Sequence, residues 1–123
     1  MNKGYWLGGA LISGALLISS CTKPVPPPPT PEQALALRPA DPRITSLYET
    51  SCKACHAMAG TGAPLVHDHA AWDPRWKQGL PVLVDHVLQG YRGMPAGGQC
   101  LTCTPQDHQA LIRFLADQPE PKP

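Results

Sequence analysis

Cys52-Lys53-Ala54-Cys55-His56 places two thiols three residues apart with an imidazole directly behind them. On one helical turn, two such thiols can add across the two vinyl groups of a haem. His56 is then held where its ring reaches the iron from the proximal side. Two other chemistries use the same residue types. A Cys-x-x-Cys redox pair expects a strand–helix unit of βαβ type around it, and no such pattern surrounds residues 52–56. A zinc site needs further ligands at finger spacing, which Cys100 and Cys103 supply only loosely across a long stretch punctuated by Gly and Pro. Covalent haem attachment is the chemistry this pentapeptide predicts.

A haem bound through His56 leaves a sixth coordination position to fill. Met94 lies in Arg92-Gly93-Met94-Pro95-Ala96-Gly97-Gly98, an irregular loop that can bend a thioether toward the iron. Thioether sulfur is a soft ligand that favours the reduced metal, so His/Met ligation raises the reduction potential. A filled sixth site also favours outer-sphere electron transfer over binding of oxygen or peroxide. Met58 is too close to His56 to cross the haem plane easily. His67, His69, His86 and His108 stand as rival ligands, with His86 expected on a helix flank and His67 and His69 facing solvent.

The elements that must position these groups read as helices. Asp41-Pro42 is an N-cap followed by Pro at the first helical position, and Ile44, Leu47 and Tyr48 fall at helical spacing ahead of the cysteines. Gly60 and Gly62 end that helix and open a loop. Asp73-Pro74 is a second cap signal, for a short turn carrying Trp76. Pro81 starts a helix through Leu83, Val84, Val87 and Leu88, stopped by Gly90. Thr104-Pro105-Gln106-Asp107 caps the last helix, whose apolar face is Leu111, Ile112, Phe114 and Leu115. No alternating strand pattern competes, so the fold class is all-α: about four short helices and long loops wrapped around something.

That something is needed. With one Phe, three Tyr and three Trp in 123 residues, and a folded part of about 80 residues, the chain has a thin core of its own. A buried haem supplies the missing apolar mass. Residues 41–123 carry seven Lys/Arg and eight Asp/Glu, a net charge of −1. No basic stripe exists to neutralise a phosphate backbone, so nucleic acid is excluded as an expected partner.

The N-terminus explains the fifth cysteine. Lys3 precedes an apolar run from Tyr5 to Ile18 that is of signal-peptide length, and too short and glycine-rich for a membrane span. It ends Leu17-Ile18-Ser19-Ser20-Cys21, which resembles the lipobox of bacterial lipoproteins, whose cysteine is lipidated and becomes the first mature residue. Several acyl chains on one residue anchor stably where one chain is marginal. Thr22, rather than Asp, follows the cysteine and favours the outer membrane. The expected domains are a signal peptide over 1–20, a lipidated N-terminus and Pro-rich tether over 21–40, and a monohaem domain over 41–123. Pro24, Pro26 to Pro29 and Pro31 favour polyproline II, and residues 22–40 in that form reach roughly 60 Å.

From Tyr48 to about Leu115 the chain resembles a class I cytochrome c, and within that class the cytochrome c5 group. The carrying residues are Tyr48 to Ala57 around the thiols, Gly60-Thr61-Gly62-Ala63-Pro64, Ala71-Trp72-Asp73-Pro74-Arg75, Gly93-Met94-Pro95 and the pair Cys100 and Cys103. The resemblance implies a small all-helical carrier of one covalent haem c, with Met94 as sixth ligand and a disulfide between Cys100 and Cys103. It also implies that the Pro64 carbonyl accepts the His56 Nδ1 proton, and that Trp72 and Arg75 donate to haem propionates. His67-Asp68-His69 and the lipoprotein-like tether depart from the family pattern.

The expected function is therefore electron transfer by Fe(II)/Fe(III) cycling rather than catalysis, with redox-protein donors and acceptors at a membrane. The expected location is the periplasm-facing side of a bacterial cell envelope. Two alternatives remain: a haem enzyme or sensor with a labile sixth ligand, and a cytochrome subunit of a larger membrane oxidoreductase.

Overall fold

The computed structural model describes Met1 and residues 24–119. The expected signal peptide and Cys21 lie outside the described residues, Met1 apart. Among the described residues the only β feature is an isolated bridge between Tyr91 and Met94. No helix among them is long and apolar enough to cross a membrane.

The first element is one the sequence reading assigned to the tether. Helix α1 spans Pro31–Ala36 and is held by a capping box: Thr30 accepts from the Gln33 N–H, and the Gln33 side chain accepts from the Thr30 N–H. Ala34 is fully buried against the core that contains Tyr48, Val66, Trp72, Leu111 and Leu115. Arg38 then pairs with Glu49 at 2.6 Å and donates to the Leu35 and Leu37 carbonyls. The folded part thus begins near Thr30, not at residue 41, and the extended stretch ahead of it is correspondingly shorter. A Pro-rich composition suggested a spacer, but burial of one small residue and a cap suffice to fold the end of it back.

Helix α2, Pro42–Leu47, is capped as expected by Asp41, which accepts from the N–H groups of Arg43 and Ile44. It runs on through a π-helical turn, Tyr48–Cys52, into α3, Lys53–His56. The extra residue in that turn rotates the following thiols and imidazole relative to α2, a register change π-turns make frequently at functional sites. Helix α4 spans His69–Trp76. Its cap is Asp68 rather than Asp73, and Pro74 lies inside it. Helix α5 is Leu80–Gln89, ended by Gly90 at φ 83°. A short 3-10 turn, Ala96–Gln99, precedes α6, Pro105–Leu115, whose Thr104/Asp107 capping box matches expectation.

α6 ties the molecule together. Its Leu111 and Leu115 pack on the core below α2, while Ile112 packs with Leu83 and Val84 of α5. Arg43 of α2 forks onto Asp107 at the start of α6 through both of its terminal nitrogens. That guanidinium, with the Thr104 N–H behind it, holds the Asp107 carboxyl well below the usual carboxylate range. The five helical segments, with α2 to α3 counted as one, thus leave a hollow between α3, α5, the loop after α5, and α6.

Candidate haem crevice

The hollow is a cavity of about 480 Å³. Cys52, Cys55 and His56 form one wall, Pro64, Trp72 and Arg75 another, and Leu83, His86 and Val87 of α5 a third. Met94 and the Gly97-Gly98 pair close it opposite α3, and Leu111, Ile112 and Leu115 of α6 give it an apolar floor. Residues scattered over some sixty positions of the chain thus converge on one space.

His56 is 6% exposed, and its Nδ1 lies 2.8 Å from the Pro64 carbonyl oxygen. A carbonyl can only accept, so Nδ1 carries the proton and Nε2 is left with its lone pair and no hydrogen-bond partner among the described residues. The ring lies tilted beside Trp72, with centroids 5.8 Å apart and planes 33° from parallel, and the backbone is pinned by the Val66 N–H donating to the His56 carbonyl at 2.7 Å. Burial lowers the His56 pKa, against the opposing pull of the Pro64 carbonyl. The imidazole is therefore neutral near pH 7, the form that binds a metal.

Burial also pushes the Cys52 thiol up to about 11, with the neighbouring Cys55 adding to the shift. A dithiol oxidoreductase needs the opposite, a thiolate stabilised below its ordinary pKa. Cys52 is half-buried and Cys55 exposed, and neither is in a disulfide. Nothing around Cys52 draws its thiol toward the thiolate that a redox pair uses. Against the zinc alternative, Cys100 and Cys103 are bonded to each other, with Cα atoms 5.4 Å apart, and no metal-holding group of three or more His, Cys, Asp or Glu occurs among the described residues.

Met94 is held in its loop by reciprocal hydrogen bonds with Tyr91, each 3.0 Å. Gly97 and Gly98, at φ 69° and 57°, let the chain turn back under it. The Cys100–Cys103 bridge closes the segment directly behind, with Cys100 buried on the crevice and the Cys100 N–H donating to Gly97.

The two expected propionate donors fare differently. The Trp72 indole N–H donates to the Leu65 carbonyl at 2.8 Å, making Trp72 a wall and a loop anchor. Arg75 donates one N–H to the Ala71 carbonyl, has no carboxylate partner among the described residues, and faces the same cavity. Of the rival ligands, His86 and His108 line the crevice, whereas His67 and His69 do not. His69 does not point into solvent as expected. Its two ring nitrogens lie 3.0 Å from Asp73 and 3.1 Å from Asp117, tying α4 to the end of α6. Met58 is exposed and off the crevice.

Sequence reasoning gave His108 no structural place. It is 3% exposed and neither ring nitrogen has a partner among the described residues. Its position was visible in the helical spacing: residues 108, 111, 112 and 115 share one face of α6.

The residues present fit a haem. An apolar slot lined by two thiols, by an imidazole whose proton is already committed to Pro64 and by a thioether offers the kinds of group that a covalently attached iron porphyrin takes.

Comparison with known proteins points the same way. The family profile described as cytochrome C oxidase, cbb3-type, subunit III matches residues 39–115. Cytochrome c-555 of Chlorobaculum tepidum is 37% identical over 117 residues, covering 92% of this chain and 95% of that protein. Cytochrome c5 of Azotobacter vinelandii is 40% identical over 63 residues, 50% of this chain and 76% of that one. Among solved structures, the crystal structure of an electron transfer complex of nitrite reductase with cytochrome c contains a chain 32% identical to this one. It superposes with a TM-score of 0.56, covering 63% of this chain and 94% of that one. With a single Cys-x-x-Cys-His motif in its sequence, the chain belongs to this cytochrome c family, in its class I, c5-like form: an electron-transfer protein, not an enzyme, that carries one covalent haem c.

Proposed function

We propose that the protein is an electron carrier whose iron is held between His56 and Met94, tethered to a membrane of the bacterial cell envelope through Cys21. The observation that carries the ligand assignment is the tautomer of His56. Its Nδ1–H is engaged by Pro64 at 2.8 Å, so Nε2 is the only nitrogen left to coordinate. Met94 is the one thioether on the crevice. When bound, haem c supplies a one-electron iron couple. The chain's own residues do the rest: Cys52 and Cys55 fasten the porphyrin, and Pro64 keeps the His56 ring oriented and basic. Met94 occupies the remaining position and so favours the ferrous state. Arg75 faces the cavity as a donor for a haem carboxylate.

The partners of such a carrier are redox proteins that dock briefly. With a near-neutral surface, encounter depends only modestly on salt.

Support for tethering comes from the lipobox-like Leu17 to Cys21 sequence. Because α1 begins at Pro31, residues 22–30 are what remains of the tether, reaching roughly 28 Å in polyproline II form.

Two experiments test the proposal. The optical spectrum of the ferric protein should show a Met–iron charge-transfer band that Met94→Ala abolishes; a variant spectrum identical to wild type rejects the ligand. Cys21→Ser should move the protein from the membrane fraction to the soluble periplasmic extract; unchanged fractionation rejects the anchor.

A further inference from the structure

The end of α5 and the loop that carries Met94 are joined by a ring stack. The His86 imidazole lies on the Tyr91 ring with centroids 4.0 Å apart and planes 20° from parallel. Tyr91 is also the residue whose backbone exchanges both hydrogen bonds with Met94, closing Tyr91–Met94 into a tight turn. Between α5 and that turn stands only Gly90, so close to it that a Cβ would come within 3.0 Å of the Met94 carbonyl oxygen and the Ala96 nitrogen. No side chain at position 90 can brace the junction, and Gly93, Gly97 and Gly98 leave the rest of the loop little intrinsic stiffness. Arg92, with its guanidinium 5.2 Å from the Tyr91 centroid, adds a cation–π contact on the turn itself but does not reach back to the helix.

We propose that His86 is a positioning residue for Met94: by stacking on Tyr91 it fixes the Tyr91–Met94 turn against α5 and so sets how firmly the thioether stays on the iron. The inference rests on Met94 being the sixth ligand. A neutral thioether is a weak ligand on a flexible loop, so its hold depends on how little freedom the loop regains when the sulfur leaves. A restraint present on both sides of that step lowers the freedom regained, in the way preorganisation strengthens any intramolecular contact. An aromatic stack of this geometry corresponds to roughly a two- to twelvefold change in that equilibrium.

The test uses the holoprotein in the ferric state, titrated with free imidazole as a competitor for the sixth position while the Met–iron band is followed. His86→Ala and Tyr91→Ala should each tighten apparent imidazole binding by roughly two- to twelvefold. The double variant should go no further than the larger single effect, because both remove one contact. His86→Phe keeps a ring in place and should retain the wild-type constant, as should Val82→Ala on the same helix away from the crevice. Thermal unfolding of the same proteins separates a general structural role. Alanine variants that lose stability while their imidazole constants stay at the wild-type value overturn the inference, as do additive single effects. A wild-type protein without a Met–iron band overturns the ligand assignment first and this inference with it. A two-nitrogen spectrum that His86→Ala removes makes His86 itself the ligand, and overturns both.

Discussion

Gly97 and Gly98 offer a matched pair for testing how Met94 is held. Both have φ in the left-handed region, 69° and 57°. An alanine at either therefore meets the same backbone penalty, about 1–2 kcal/mol. The difference is what a methyl group would touch. At Gly97 there is nothing within 4 Å, while at Gly98 the new Cβ would lie 3.0 Å from the Met94 Cε, with Val87 Cγ1 at 3.7 Å behind it. Carbon atoms prefer separations of about 3.5–4.0 Å, so Met94 would have to retreat by roughly half an ångström. A free methionine could do so at little cost, but one fastened to iron cannot without lengthening its bond or dragging the loop. Overpacking of this kind costs about 1–3 kcal/mol. With Met94 as the proposed sixth ligand, Gly98→Ala in the ferric holoprotein should therefore lower the pH midpoint at which the Met–iron band is lost by roughly 0.7–2 units, at ~1.4 kcal/mol per unit. Gly97→Ala should leave that midpoint in place. Both should lower the melting temperature, Gly98→Ala by more than Gly97→Ala, at roughly 4–8 °C for each kcal/mol in a domain of this size. If Gly97→Ala moves the band as far as Gly98→Ala does, the Met94 contact is not the cause and the reasoning fails.

Two further outcomes follow from buried and bridged groups. His69 is held by Asp73 and Asp117, which raise its pKa above 6.5. Its contribution is fully present below about pH 6.5 and is lost as pH rises through the raised value. Urea midpoints of wild type and His69→Gln should thus differ at pH 5.5 and converge by pH 9, by well under ~1 kcal/mol since both carboxylate partners are exposed; a gap that widens with pH contradicts the clamp. The Tyr48 hydroxyl is fully buried with no hydrogen-bond partner among the described residues, and burial pushes its pKa up to about 12. Tyr48→Phe removes an unsatisfied group and should leave stability unchanged or raise it by about 1 kcal/mol in chemical denaturation. A clear loss of stability would mean the hydroxyl has a partner.

What was legible in the sequence was local. The Asp41-Pro42 and Thr104-Pro105 starts, the Gly90 stop and the apolar face of α6 are decided by neighbours within a turn, and each stands where it was expected. The crevice was legible because covalent attachment forces two thiols and a histidine into one contiguous motif. Where tertiary contact decides, local signals misled. Asp73-Pro74 has the form of a cap, yet Asp68 caps α4 and the proline is carried inside the helix. Thr30-Pro31-Glu32-Gln33 also has the form of a capping box, but its proline-rich surroundings masked it, and only burial of Ala34 makes α1 worth forming. The π-turn ahead of Cys52 has no residue signature at all. The fate of the Trp72 N–H was equally hidden, since it depends on a carbonyl seven residues earlier whose position the loop sets.

α1 also changes how a load on the N-terminus would travel. A pull applied at Pro24 is met first by Ala34 in its socket and by the Arg38–Glu49 ion pair. Only after those give way does tension reach Asp41 and the helix that leads to the haem-bearing cysteines. The segment acts as strain relief on a cable, taking load at its own contacts before the backbone through Asp41 carries it.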